Sequence, residues 1–189
     1  MDINKIIARK ELEVIGGKPQ VYRYWDEENK KSIDILSCVN RPDIGVVSYG
    51  TIGLSSYDIG MISNNKSLRL ELVGACDMKE ELFANIVSTT AFEIIESGNC
   101  EYGYIIPDII SQYIVDIDMK HVYLMNAFLW EGLSTLEVEN KKIVWILIVP
   151  ISDEEMKYAL NNGYDALESK FEEMQIDIFN LRKKIYLLN

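Results

Sequence analysis

Residues Lys141–Gly163, KKIVWILIVPISDEEMKYALNNG, decide the fold of this chain. Ile143–Val149 is a run of seven apolar, mostly β-branched residues that stops at Pro150. Its length suits a strand, and without polar alternation it predicts a strand buried on both faces. Ser152, with Glu155 three residues later, is a capping-box pattern, in which each side chain satisfies an orphan backbone N–H at a helix start. Ile151 and Met156 flank that start at the positions of a hydrophobic staple. A buried strand therefore feeds directly into a capped helix, Glu154–Asn161, which ends near Gly163. A second helix follows, with Tyr164, Leu167, Phe171 and Met174 as its apolar stripe.

Working back toward the N-terminus, Ile3–Ile15 reads as a short helix stopped by Gly16-Gly17 and Pro19. Val21–Trp25 and Ser32–Val39 are strand-like runs joined by the polar turn Asp26–Lys31, a hairpin pattern. Val46–Leu54 is β-rich, and Gly50 and Gly53 within it predict a bulge or a close backbone approach. In Leu68–Val73 the leucines at 68, 70 and 72 point one way and Arg69 and Glu71 the other, which predicts a strand with one face toward a core. Asp77 is placed to cap a helix with Glu80 at its third position. Leu82, Phe83, Ile86, Val87, Thr90, Ala91, Ile94 and Ile95 form that helix's stripe, and Gly98 stops it. Tyr104–Ile114 holds Pro107 and fits an edge strand or a loop. His121–Trp130 reads as a further strand. These elements predict one α+β domain, a mixed, mostly antiparallel sheet packed by helices, with residues 1–18 as an N-terminal helix joined to the body at 19–189.

At 189 residues the chain is long enough to bury a core without disulfide staples. No apolar run approaches the roughly 20 residues of a membrane span. The charged N-terminus lacks the apolar stretch of a signal peptide, which predicts a cytoplasmic protein. Cys38, Cys76 and Cys100 are odd in number and show no CxxC spacing, so they fit a reducing compartment and buried positions.

Function is harder to read. The formal net charge is −11, which argues against direct nucleic-acid binding, because gripping phosphates needs clustered Lys and Arg. Acidity serves solubility, and it also suits capture of a basic partner. The charge is uneven: residues 152–177 hold eight carboxylates against Lys157 and Lys170. His121 stands alone and lacks Asp, Glu or Cys at metal-ligand spacing, so it reads as structural or solvent-facing. The glycines of 45–53 match neither phosphate-loop pattern. Asp26-Glu27-Glu28 and Asp153-Glu154-Glu155 fit a solvated turn and a dipole-favoured helix start better than an acid/base or metal cluster. The aromatics, Tyr22, Trp25 and Phe128 among them, read as core. Arg182, Lys183 and Lys184 form a small basic patch. No enzyme and no cofactor or metal site is indicated.

Several stretches resemble the suppressor-of-fused-like family. VPISDEEMKYALNNGYDALESKFEE looks like its C-terminal signature, a buried strand ending in Pro-Ile-Ser, an acidic helix, and a Gly163-x-Asp165-x-Leu167 step into a second helix. RYWDEENKKSIDIL (Arg23–Leu36), TIGLSSY (Thr51–Tyr57), LRLELVGACD (Leu68–Asp77), FANIVSTTAFEII, FLWEGLSTLEV (Phe128–Val138) and DIFNLRK (Asp177–Lys183) agree in order and spacing. The resemblance covers the chain from about Pro19. It implies a suppressor-of-fused-like domain of the bacterial antitoxin or immunity-protein branch of polymorphic toxin systems. Such a protein binds a cognate toxin, expected to be a basic nuclease domain, and blocks it without catalysis. On charge alone, the expected partner-binding residues are Asp153, Glu154, Glu155, Glu168, Glu172 and Glu173, with Asp26, Glu27 and Glu28 as a second patch. Two alternatives stand beside this: an interaction module with a non-toxin partner, binding a peptide along a sheet edge, and a small-molecule enzyme using Cys76 or His121.

Overall fold

The computed structural model describes residues 2–183. The chain begins with α1 (Ile3–Ile15), then the hairpin β1 (Pro19–Trp25) and β2 (Ser32–Val39), and β3 (Val46–Ile52). A single 3₁₀ turn at Leu54–Ser56 leads to the short β4 (Ile62–Ser63) and the long β5 (Lys66–Asp77). After α2 (Phe83–Ser97) come β6 (Ile105–Ile106), a 3₁₀ turn at Ile110–Gln112, and β7 (Met119–Asn126). β8 (Leu136–Val138), β9 (Lys141–Ser152), α3 (Asp153–Asn162) and α4 (Tyr164–Glu173) complete it.

The strands form one mixed sheet in the order β1-β2-β3-β5-β9-β7-β6, with β4 paired to β5 and β8 to β9. The β5–β9 pair is parallel, Leu72 opposite Ile146, and the remaining pairs are antiparallel. β9 therefore lies inside the sheet, as its continuous apolar run predicts. Its odd-numbered side chains, Ile143, Trp145, Leu147, Val149 and Ile151, enter one core layer, and Val144, Ile146 and Ile148 enter the other. Burial of each such side chain is worth roughly 1.5–3 kcal/mol.

Helix α2 covers one face, packing Phe83, Ile86, Val87, Ala91 and Ile94 against Ile33, Ile35, Leu70 and Leu72. Gly98 ends it in the left-handed conformation, φ 73°, and its N–H returns to the Ile94 carbonyl. The opposite face is covered by α1 and by the α3–α4 pair, through Ile7, Ile15, Ala159, Leu167 and Phe171.

Four sequence expectations are corrected. Arg69 and Glu71 do not face solvent: Glu71 is enclosed by Thr51, the Gly53–Ser55 turn and Glu11 of α1, Arg69 pairs with Asp58, and both residues are buried. Asp77 does not cap α2. It ends β5, its carboxylate accepts from the Lys79 N–H, and the helix begins only at Phe83, with no side-chain cap. Tyr22, Trp25 and Phe128 are not core: β1 is an edge strand and Phe128 lies in the loop after β7, so they stand 60, 52 and 52% exposed. The basic patch dissolves, because Lys183 is buried while Arg182 lies outside and bonds Glu80; Lys184 lies outside the described residues.

Candidate functional site

The α3 start is built as the sequence predicts. Ser152 Oγ accepts from the Glu155 N–H at 3.2 Å, and Glu155 Oε2 accepts from the Ser152 N–H at 2.8 Å. Glu155 then does more than cap. Its Oε1 lies 3.3 Å from Lys183 Nζ, and both side chains are 5% exposed. Lys183 also donates to the Pro150 carbonyl, which ties the end of the described chain to the end of β9. Burial pulls the Lys183 ammonium below the usual lysine range, and Glu155 opposes that pull. Glu155 is thus removed from the acidic surface on which its charge alone would place it.

Asp153 is exposed but engaged. Its carboxylate bonds Lys120 and, at 2.9 Å, His121 Nε2. His121 is not solvent-facing: it is buried, and its Nδ1 accepts the Asp108 backbone N–H at 2.9 Å. That bond leaves Nε2 as the protonated nitrogen, so His121 donates to Asp153. Lys120 and His121 together hold the Asp153 carboxyl below the usual carboxylate range. His121 pins the Asp108 loop to α3, a structural role whose acidic partner comes from 32 residues away. Glu154, beside it, is exposed and unpaired among the described residues.

Helix α4 carries the other three acids of this face. Glu173 pairs with Lys170 at 2.8 Å, and Glu172 is exposed. Glu168 is half-buried. It accepts the Tyr123 hydroxyl at Oε1, 2.6 Å, and the Tyr102 hydroxyl at Oε2. Glu168 and Glu172 line a groove of about 470 Å³ between α4, the loop following β7, and residues 176–179. Its walls are apolar, with Met125, Phe128, Leu129, Phe171, Ile178 and Phe179, and Asp177 adds a third carboxylate.

The second predicted patch lies elsewhere. Asp26 organises the β1–β2 turn by accepting the Lys30 and Lys31 N–H groups at 2.7 and 3.0 Å, and these bonds lower its carboxyl. Glu28 pairs with Lys30, and Glu27 is exposed. These residues border a cleft of about 700 Å³ between the hairpin and α2, which also holds Trp25, Phe92 and Glu93. The hairpin is at the β1 edge of the sheet, whereas α3 packs on β7 and β9, so the two acidic patches are separate surfaces.

Three features of this region escape a reading of the sequence: the Tyr102–Glu168–Tyr123 bonds, the burial of Lys183, and the aromatic groove. Tyr102 and Tyr123 lie 66 and 45 residues from Glu168, and no local signal connects them. The free cysteines are buried, and burial pushes Cys76 up to about 12 and Cys100 to about 11. Neither is a reactive thiolate. Among the described residues, no group of three or more His, Cys, Asp or Glu is placed to hold a metal ion, and no helix is long and apolar enough to cross a membrane.

The sequence model of the family described as Suppressor of fused protein (SUFU) matches residues 29–184. The chain belongs to the SUFU family. A SUFU-family fold is also what the structure shows, with solved relatives aligning over nearly the whole chain. A SUFU homolog from Neisseria gonorrhoeae FA 1090 superposes with a TM-score of 0.70 at 12% identity, covering 98% of each chain. A chain of the Sufu–Fu complex superposes at 0.68 and 13% identity, over 97% of this chain and 91% of that one. Drosophila Suppressor of Fused gives 0.66 and 13%, and there this SUFU chain spans 50% of the longer protein. At such identities the likeness is one of fold. In sequence, the chain is 43% identical over 183 residues to the Immunity protein YqcF of Bacillus subtilis (strain 168), covering 96% of this chain and 95% of that protein.

Proposed function

We propose that this SUFU-family chain is an immunity protein: it binds a cognate toxin, a basic nuclease domain, and blocks it without catalysing a reaction itself. The observation that carries the reading is the 43% identity, end to end, with a protein named as an immunity protein. The net charge of −11 supports the choice of a basic partner, since a nuclease must present Lys and Arg to phosphates and an acidic inhibitor competes for that surface. The binding face we favour is the α3–α4 side, with Glu154, Glu168, Glu172 and Glu173 exposed or half-exposed there. Asp153 contributes through its outer surface, and Glu155 acts only from within, by holding α3 in place. The site of action is the cytoplasm, where such a toxin would meet its substrate.

Co-expression tests this directly. Cells producing the toxin domain encoded beside this gene should survive when the chain is present and die when it is absent. Death in both conditions, with both proteins folded, overturns the reading.

A second reading, an interaction module with a non-toxin partner, is favoured by β1. This edge strand has Val21, Tyr22 and Trp25 exposed, and its free backbone edge is a template for an added strand. Capture of a non-nuclease partner through β1, with no rescue in the co-expression assay, would establish it instead.

A further inference from the structure

We infer that the groove beside α4 is a receptor for an arginine side chain presented by the partner protein. This rests on the reading of the chain as a binder of a basic protein, and it names the contact. Three observations converge. The groove is walled by aromatic rings, Phe128, Phe171, Phe179 and Tyr102 among them. It is bordered by Glu168, Glu172 and Asp177, and no Lys, Arg or His lies among the described residues that line it. Phe128, which lines it, is 52% exposed among the described residues, a large apolar surface open to a partner.

The geometry of Glu168 selects arginine over other cations. The Tyr123 and Tyr102 hydroxyls donate to different oxygens of the carboxylate. They orient it, and among the described residues no other group bonds it, which leaves one lone pair on each oxygen. Two parallel acceptors match the planar fork of a guanidinium, which donates two N–H groups side by side; an ammonium satisfies one oxygen at a time. Guanidinium planes also stack on aromatic faces, and the arginine stem covers apolar wall. Phe171 already takes part in a cation–π contact, with Lys183 Nζ 4.9 Å from the ring centroid. Lys183 itself is committed to Glu155 and the Pro150 carbonyl, so it does not neutralise the groove. Arginine is enriched among the residues that dominate protein interfaces, which cluster in well-packed, desolvated pockets.

The test uses the intact chain, isotopically labelled, titrated with N-acetyl-arginine-N-methylamide, its lysine analogue and its norleucine analogue. The arginine probe should shift resonances of Tyr102, Phe128, Phe171 and Phe179, several-fold more tightly than lysine, and norleucine should bind least. Glu168→Gln should weaken the arginine probe about tenfold, the loss of a charge-assisted bidentate pair. Phe128→Ala, at an exposed position that carries no fold, should weaken it several-fold and keeps the test valid should Glu168→Gln unfold. Norleucine or lysine binding as well as arginine overturns the inference, as does the absence of shifts at the groove. Neutralisation in cells without arginine binding would overturn the groove assignment and leave the immunity role standing. Arginine binding without neutralisation would support the groove and overturn the immunity role.

Discussion

Glu155 and Lys183 form an ion pair with Oε1 and Nζ 3.3 Å apart and both side chains 5% exposed. One partner caps α3 and the other closes the described chain against the end of β9. The pair locks the helix that borders the acidic face to the last described segment. Breaking such a pair from one side leaves a buried charge without compensation, which costs about 3–5 kcal/mol.

Glu155→Gln isolates that charge, because glutamine keeps the capping-box hydrogen bond. Urea denaturation should show a loss of about 3 kcal/mol in this variant. The double variant Glu155→Gln/Lys183→Met should be less destabilised than the sum of its parts. Additive losses would mean that the two side chains contribute independently.

Glu11 and Glu71 make the fold sensitive to pH in the direction opposite to that of a surface-paired carboxylate. Glu71 is buried under α1, and burial, partly offset by the Thr51 and Ser55 hydroxyls and nearby N–H groups, raises its pKa from 4.5 to about 7. Glu11 is raised well above 4.5 by burial and then by Glu71; the Trp145 indole N–H opposes the shift, and Oε2 has no partner among the described residues. Between pH 4.5 and about 7 the folded state therefore holds protons that the unfolded state has released. The stability these groups contribute is full below pH 4.5 and falls as pH rises through 7, by an amount on the order of a few kcal/mol. Urea midpoints measured from pH 5 to pH 8 should decline, and Glu11→Gln, which keeps the indole bond and cannot ionise, should flatten the decline. An identical slope in both proteins would refute it.

Gly50 is required by space rather than by its backbone angles. A Cβ there would lie 2.4 Å from Glu11 Oε2 and 2.7 Å from its carboxyl carbon. Gly50→Ala should lower stability by about 1–3 kcal/mol through overpacking, and thermal melting would measure it. Gly45 has open space around its would-be Cβ, but its φ of +86° makes it no control.

The acidic face should govern how fast a partner arrives. Charge reversal at Glu154 and Glu172, both exposed, should slow association with the toxin domain several-fold and flatten its salt dependence. Stopped-flow association at two ionic strengths reads both effects. Unchanged rates would exclude this face, and reversal at Glu27 would then test the hairpin patch.

The sequence by itself determined the elements. Ile143–Val149 announces a doubly buried strand because a strand between two layers needs apolar side chains at odd and even positions alike. Ser152 and Glu155 announce the α3 start because capping is a contact between residues three apart. The β1–β2 hairpin and the Gly98 stop are legible for the same reason, since the physics is local. Tertiary structure alone decided what the acidic residues do. Glu71 points away from Leu70 and Leu72, as alternation demands, yet only the docking of α1 and of the Gly53–Ser55 turn makes that side an interior. Glu155, Asp153 and Glu168 look alike as charges, but Lys183, His121 and the tyrosines at 102 and 123 give each a separate fate. Those partners come from distant strands and loops, and charge in a sequence carries no record of which groups folding will bring beside it.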